Sequence, residues 1–263
     1  MAEKNYVLGA GRIYIALEDD EGNATALRYI GNTPEFSFTL EATNLELFDS
    51  DGPIATKVED VVTQVVRSGS VVVNDIGLDN LALFLVADKS SLVQDGTPVV
   101  DFPIAAAAQG FDYQLGETAE NPTGDRGISS VTVKDTEVAP TTFDVDDDYT
   151  FDAVTGLLHI VEGGAITDGT DLVVSYTPEA STRDQLKTNS LGLRYGALKF
   201  VADNTRGANR DFYAPRVKIQ PNGDMAWKSR DTWMQMQFDL EYLVKDALSA
   251  VYLDGVPVAS GTA

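Results

Sequence analysis

Aspartates at positions 144, 146, 147, 148 and 152 crowd the stretch FDVDDDYTFDAVTGLLHI, Phe143 to Ile160. Such a set of carboxylates could hold calcium. An EF-hand loop needs oxygen ligands at positions 1, 3 and 5, glycine at 6 and glutamate at 12. Counted from Asp144, the first three positions are filled by Asp144, Asp146 and Asp148, but position 6 is Tyr149 and position 12 is Thr155. The flanks are β-branched and aromatic rather than amphipathic and helical. The spacing therefore predicts a strand at Tyr149–Phe151, a turn through Ala153–Gly156 and a strand at Leu157–Val161. The acidic cluster then sits at a solvated strand edge, where charge opposes unwanted pairing.

Other chemistry is equally thin. His159 is the single histidine, set between Leu158 and Ile160 on an apolar strand, and the local HIVE offers no second histidine for zinc. No G-x-S-x-G elbow accompanies it. Gly9-Ala10-Gly11 opens like a dinucleotide fingerprint, but the third glycine position is Tyr14 and a strand follows where a helix is required. A P-loop is missing. With 41 acidic residues, a carboxylate pair at glycosidase spacing is nearly unavoidable and carries no information. Without cysteine there is neither disulfide nor thiolate ligand. The expectation is a protein that is not an enzyme and that has no metal or cofactor site.

The elements that would have to position a site are mostly strands. RIYIAL (Arg12–Leu17) and Leu27–Ile30 read as strands. Glu35–Ala42 alternates, with Phe36, Phe38 and Leu40 on one face, as in a half-buried antiparallel strand. Residues 57–73 place valines at helical spacing, yet a valine helix is disfavoured by lost rotamer freedom. Two strands or one bent strand are expected there, with Ser68-Gly69-Ser70 as bulge or turn. One helix is expected, Asn80–Ala87, capped by Asp79 and packing Leu81, Phe84 and Leu85 on a sheet. Residues 88–110 read as a looser stretch. Strands follow in SVTVKD, DYTF, LLHIV and DLVVSYT, then at Leu193–Ala202, Arg216–Gln220 and Met234–Val244. PNGD (221–224) suggests a hairpin turn, and a last hairpin is expected around Asp254-Gly255.

Hydrophobic content of 43%, with 2 Trp, 10 Tyr and 11 Phe, is ample for a packed core. The net charge of -22 opposes the usual lysine and arginine grip on nucleic acid. Its distribution is uneven. Residues 1–182 carry 8 Lys and Arg against 32 Asp and Glu, whereas residues 183–230 carry 10 against 4. Such a basic stretch is either a solvated face or a patch made to meet the acidic surface of another copy. The start of the chain has no charged-then-apolar leader pattern, and Leu81–Ala87 is too short an apolar run to span a bilayer. A soluble protein made in the cytosol, with no membrane partner, is expected.

Ordered segments resemble one family. YVLGAGRIYIA, RYIGNTPEFSFTLEA, FDSDGPIATKVEDVV, NLALFL, DYTFDAVTGLLHIVEGGAI, GALKFVADNTRGANRDFYAPRVKIQPNGDMAWK and AVYLDGVPV resemble bacteriophage major tail tube proteins over most of residues 5–258. The resemblance implies a mainly β fold, a tail-tube-type sandwich or barrel with one flanking α-helix and a β-rich insertion. Residues 1–109 and 183–263 would form the tail-tube domain, and the acidic block 110–182 the insertion. It also implies six copies per ring, rings stacked head-to-tail into a tube, and genomic DNA passing through the lumen without specific binding. Partners implied in the same way are tape measure, tail tip or baseplate and tail terminator proteins, and the location is the virion tail. On this reading Phe48–Asp60 is an arm to a neighbouring subunit, which makes Asp49, Asp51, Pro53 and Ile54 interface candidates. Charge complementarity adds Arg206, Arg210 and Arg216. The competing reading is an acidic β-sandwich binding module, an adhesin or carbohydrate-binding domain, using surface aromatics such as Tyr213, Trp227 and Trp233.

Overall fold

Alternating apolar and polar residues give strands whose two faces differ, and such strands must pair to satisfy their backbone groups. The computed structural model describes residues 6–188 and 192–255. In chain order the elements are β1 (Gly11–Leu17), β2 (Arg28–Tyr29), β3 (Glu35–Asp49), β4 (Thr56–Val73), α1 (Leu78–Phe84), β5 (Asp88–Gln94), β6 (Val99–Ala107), β7 (Asp112–Gln114) and β8 (Ile128–Asp135). They continue as β9 (Tyr149–Asp152), β10 (Leu157–Ile160), β11 (Thr170–Pro178), β12 (Ser181–Lys187), β13 (Arg194–Ala202), β14 (Arg210–Asn222), β15 (Met236–Tyr242) and β16 (Tyr252–Gly255). The fold is mainly β and sandwich-like, with one described helix and no sheet closed into a barrel.

Two compact units result: residues 1–89 with 186–263, and residues 90–185. The first is built on one antiparallel sheet in the order β2-β1-β13-β14-β15-β4-β3, with β16 also paired to β14. β14 changes partner along its length: Arg210–Tyr213 pair with β16, and Val217–Asn222 with β15. Ile13, Ile15, Val71, Leu198, Val217, Ile219, Met236, Phe238 and Leu240 point to one side and form the core, on which Leu81 and Phe84 of α1 rest. Phe84 meets Phe238 edge-on at 5.8 Å between ring centres. Buried Asn80 ties the helix down. Its amide donates to Ile30 O and Asp75 O, and its carbonyl accepts from Arg28.

The second unit has its own core, made by a β6-β11-β8 sheet and a β7-β10-β9 sheet around Leu115, Val133, Leu158, Ile160, Leu172 and Val174. Buried Gln94 closes its ends, donating to Arg126 O and Glu179 O and accepting from Arg126 N and the Arg183 guanidinium.

Several expectations are corrected. The insertion is longer than 110–182, because β6 pairs with β11 and so belongs to it; residues 88–110 are thus two strands and not a loose stretch. Residues 57–73 lie in one strand, and Ser68-Gly69-Ser70 are regular members of it, opposite Thr39, Phe38 and Ser37. Gly69 is there for space: a Cβ would collide with Ser37 O of the adjacent strand. The helix begins after Gly77, with no side-chain cap, and ends at Phe84. Asp79 instead lies in its first turn and pairs with Lys89. PNGD makes no tight hairpin, since the whole connection 223–235 separates β14 from β15. Asp254 and Gly255 lie in β16, so the last expected turn falls outside the described residues.

Candidate assembly surfaces

β3 and β4 stay paired from Glu35↔Val72 to Asp49↔Thr56. β15 lines β4 only between Ser68 and Val73. From Thr39 outward the pair therefore stands free among the described residues, an arm about 35 Å long at ~3.3 Å per residue. Isolated two-stranded ribbons are marginal in water. Polar contacts support this one near its tip: Lys57 Nζ lies 2.6 Å from Glu46 and 2.8 Å from Asp60. Those hydrogen bonds, Asp60 first, raise the lysine above its ordinary range.

The arm is apolar on one face near its base and on both faces farther out. Near the base, Phe38, Leu40 and Ala42 face the same way as Val65, continuing the core side of the sheet. Phe38 still packs on Phe212 and Tyr242. Farther out both faces carry apolar residues: Leu45 and Leu47 lie on the opposite face with Val61, while Phe48 and Val62 stay on the first. The register shift between Thr43 and Asn44 marks the change, and the Thr63 hydroxyl bonds back to Thr43 O. Leu45 is 69% exposed, and Ile54 at the tip is 79% exposed. Glu35–Ala42 was expected half-buried, yet Leu40 is exposed because no layer covers it.

Of the interface candidates read from sequence, Asp49, Asp51, Pro53 and Ile54 are gathered at this tip, all exposed. Asp49 Oδ1 accepts from Asp51 N at 3.0 Å, an Asx turn. Arg206 lies in the β13–β14 connection and Arg210 opens β14, both exposed and without an acidic partner within 4.0 Å among the described residues. Arg216 is different, because it is paired with Glu18 at 3.3 Å inside its own unit.

The sheet side away from α1 is polar. Gln220 and Asn222 of β14 stand opposite Asp239 and Gln237 of β15, which in turn face Ser70 and Val72 of β4. Glu35, Ser37 and Thr39 of β3 complete the rows. Lys218 pairs with Glu241 at 3.2 Å, and Asn222 donates to Asp239 at 2.8 Å. In these four strands the remaining charges, Glu35 and Asp239, are acidic, whereas Arg12 of β1 and Lys199 of β13 put positive charge on the same side of the sheet.

The motif residues have structural partners. Asp148, buried, accepts from Asp144 N and Ala165 N, and Asp146 sits at φ 72°, a turn conformation that aspartate tolerates. The strand–turn–strand expected after them is β9, Ala153–Gly156 and β10. His159 Nδ1 lies 2.9 Å from Asp112 of the adjacent β7, half-exposed on the central strand of its sheet. No three His, Cys, Asp or Glu side chains cluster as metal ligands among the described residues. No described helix is long and apolar enough to cross a membrane. Trp227 and Trp233 are exposed on the 223–235 connection, and Tyr213 stands beside Tyr252 at 6.4 Å.

Sequence reasoning missed Leu45, Leu47 and Val61 as surface residues. The signal was that β3 has apolar residues at both parities, Leu45 and Leu47 against Phe36, Phe38, Leu40 and Phe48, which no single buried face can accommodate. A family model described as "Protein of unknown function UCP028589" matches residues 6–250. No curated protein matches the sequence.

Proposed function

The chain belongs to that family, and we propose that it is a structural, self-assembling protein, the subunit of a bacteriophage tail tube. Copies would form hexameric rings, stacked head-to-tail, that conduct DNA. The observation that carries the reading is the free β3–β4 arm, which exposes apolar residues on both of its faces. Exposed apolar surface in quantity marks an interaction site. A surface facing two ways asks for neighbours on two sides, which a closed repeating assembly supplies. The resemblance of ordered sequence segments to major tail tube proteins supplies the kind of assembly.

On this reading the β14–β15–β4–β3 part of the polar sheet side, carrying Glu35, Gln220, Asp239 and Glu241, lines the lumen. Hydroxyls, amides and net acidic charge give a wall that DNA phosphates slide past without the counterion release that drives binding.

Negative-stain electron microscopy of the purified chain at two concentrations and two salt levels tests the proposal. Hollow rings or tubes are expected, weakened by salt where charge complementarity contributes. A monomer under every condition would turn the reading towards the binding module. That alternative draws on Trp227 and Trp233, exposed in one connection, and glycan-induced change in their fluorescence would support it.

A further inference from the structure

We propose that the arm tip of one copy, Asp49–Ile54, seats in a groove of a second copy, with Asp49 and Asp51 meeting Arg206 and Arg210 and Ile54 covering Phe200. The proposal rests on the self-assembly argued above and adds where the arm goes.

The groove runs along the ends of β1, β13 and β14. Two adjoining cavities there share Gly9, Phe200 and Arg210, and one of them reaches Arg206 and the other Phe36 and Leu253. Its floor is thus aromatic and aliphatic, and its rim is cationic. Glu35 also lines it, but makes no ion pair with either arginine within 4.0 Å among the described residues. Leu253 is 68% exposed at its edge.

The tip is the complement of this groove in both respects. Two carboxylates flank its turn, and Ile54 projects beyond them into solvent. Pro53 fixes the backbone just before Ile54, which lowers the ordering cost of docking. Apolar contact would supply the affinity, and the charge pairs the register and encounter rate.

A copy cannot fill its own groove. Phe36, which lines it, lies on β3, and the β3–β4 pairing continues from there to Asp49 through two register shifts. The tip is held about 40 Å from Phe36 at ~3.3 Å per residue. The occupant is therefore another chain, and the contact is heterologous: tip on one side, groove on the other. Repeated, such contacts close into rings or extend into filaments.

The chain lacks cysteine, so single cysteines report cleanly. One protein carrying Ile54→Cys is mixed with one carrying Ala208→Cys, a residue of the groove, and oxidised. A disulfide-linked pair containing both chains is the expected product. In parallel, D49K/D51K and R206E/R210E should each raise the concentration needed for assembly by about tenfold or more, and mixing the two should restore it. Wild-type chain that assembles, while the mixed cross-link is missing and both reversals assemble normally, would overturn the seat and leave assembly standing. Wild-type chain that stays monomeric, together with no cross-link between the two cysteine variants, would overturn both.

Discussion

Arg216 Nη2 lies 3.3 Å from Glu18 Oε2, a carboxylate whose side chain is only 7% exposed. Lys245 Nζ approaches the other oxygen at 3.1 Å, and the Arg216 guanidinium sits 4.9 Å above the Tyr195 ring. This arginine is committed to its own fold. Glu18→Gln or Arg216→Glu should therefore destabilise the subunit by about 2 kcal/mol, less than the loss of a fully buried pair because the guanidinium is part-exposed. R206E/R210E should leave thermal unfolding unchanged. Scanning calorimetry on all three separates the roles; equal loss of stability from the two kinds of arginine change would refute the distinction.

Leu45 and Val61 are cross-strand partners on an uncovered stretch of the arm. Exposed apolar residues contribute little to subunit stability, but burying each in an interface is worth roughly 1.5–3 kcal/mol. L45K/V61K is accordingly expected to unfold at the wild-type temperature while shifting the assembly concentration upward by more than tenfold. Light scattering against concentration measures it. Unaltered assembly would remove the arm's outer half from any interface.

Strand identity was legible because period-two alternation is local: RIYIAL and LRYGALKFVA became β1 and β13 within a residue or two. Strand length was not. β3 and β4 run past the sheet, and beyond Ala42 apolar residues at both parities, Leu45 and Leu47 beside Phe48, blur the alternation that marks a strand's extent. The insertion's start was hidden for a related reason. VVDFPIAAA lacks clean alternation, and its strand character comes from long-range pairing with β11. At the candidate interface, charge counting found Arg206, Arg210 and Arg216 together, but only the three-dimensional position of Glu18 separates the third from the others. Sequence distance of this kind leaves no local trace.

The 90–185 unit carries a core separate from that of the first unit, and Leu158 at its centre is fully buried. Leu158→Ala should cost about 2–5 kcal/mol there, through lost burial and the cavity left behind. Hydrogen exchange read by mass spectrometry should show β8–β11 losing protection while β1, β13 and β14 keep theirs. Uniform loss across both units would mean that the two cores unfold as one.

Asp152 closes the β9–β10 turn, accepting from the Thr155 hydroxyl at 2.7 Å and from Val154 N at 2.9 Å. These bonds, the hydroxyl first, hold its carboxyl below the ordinary aspartate range. A depressed folded-state value stabilises above the unfolded value, near pH 4, and the contribution disappears as pH falls through the folded value. Asp152→Ala should therefore lower the melting temperature at pH 7 and match wild type progressively more closely below about pH 4. A gap that stayed constant into acid would assign the effect to turn geometry alone.

Asp239 tests the lumen assignment. It is exposed on the polar side of the sheet, between Gln220 and Ser70 of the neighbouring strands, and bonded by Asn222. If that side lines a conduit for DNA, its acidity keeps phosphates from adhering, and reversing it should create a binding surface where none existed. Assembled D239K/Q237K is expected to retain double-stranded DNA at low salt and to release it as salt rises, because each new phosphate contact displaces counterions. Assembled wild-type protein should retain none under the same conditions. The comparison is made on assembled material, by co-sedimentation, so that the copies within an assembly multiply the added charge. Retention that is equal in the two proteins, or unaffected by salt, would place this sheet side away from the conduit.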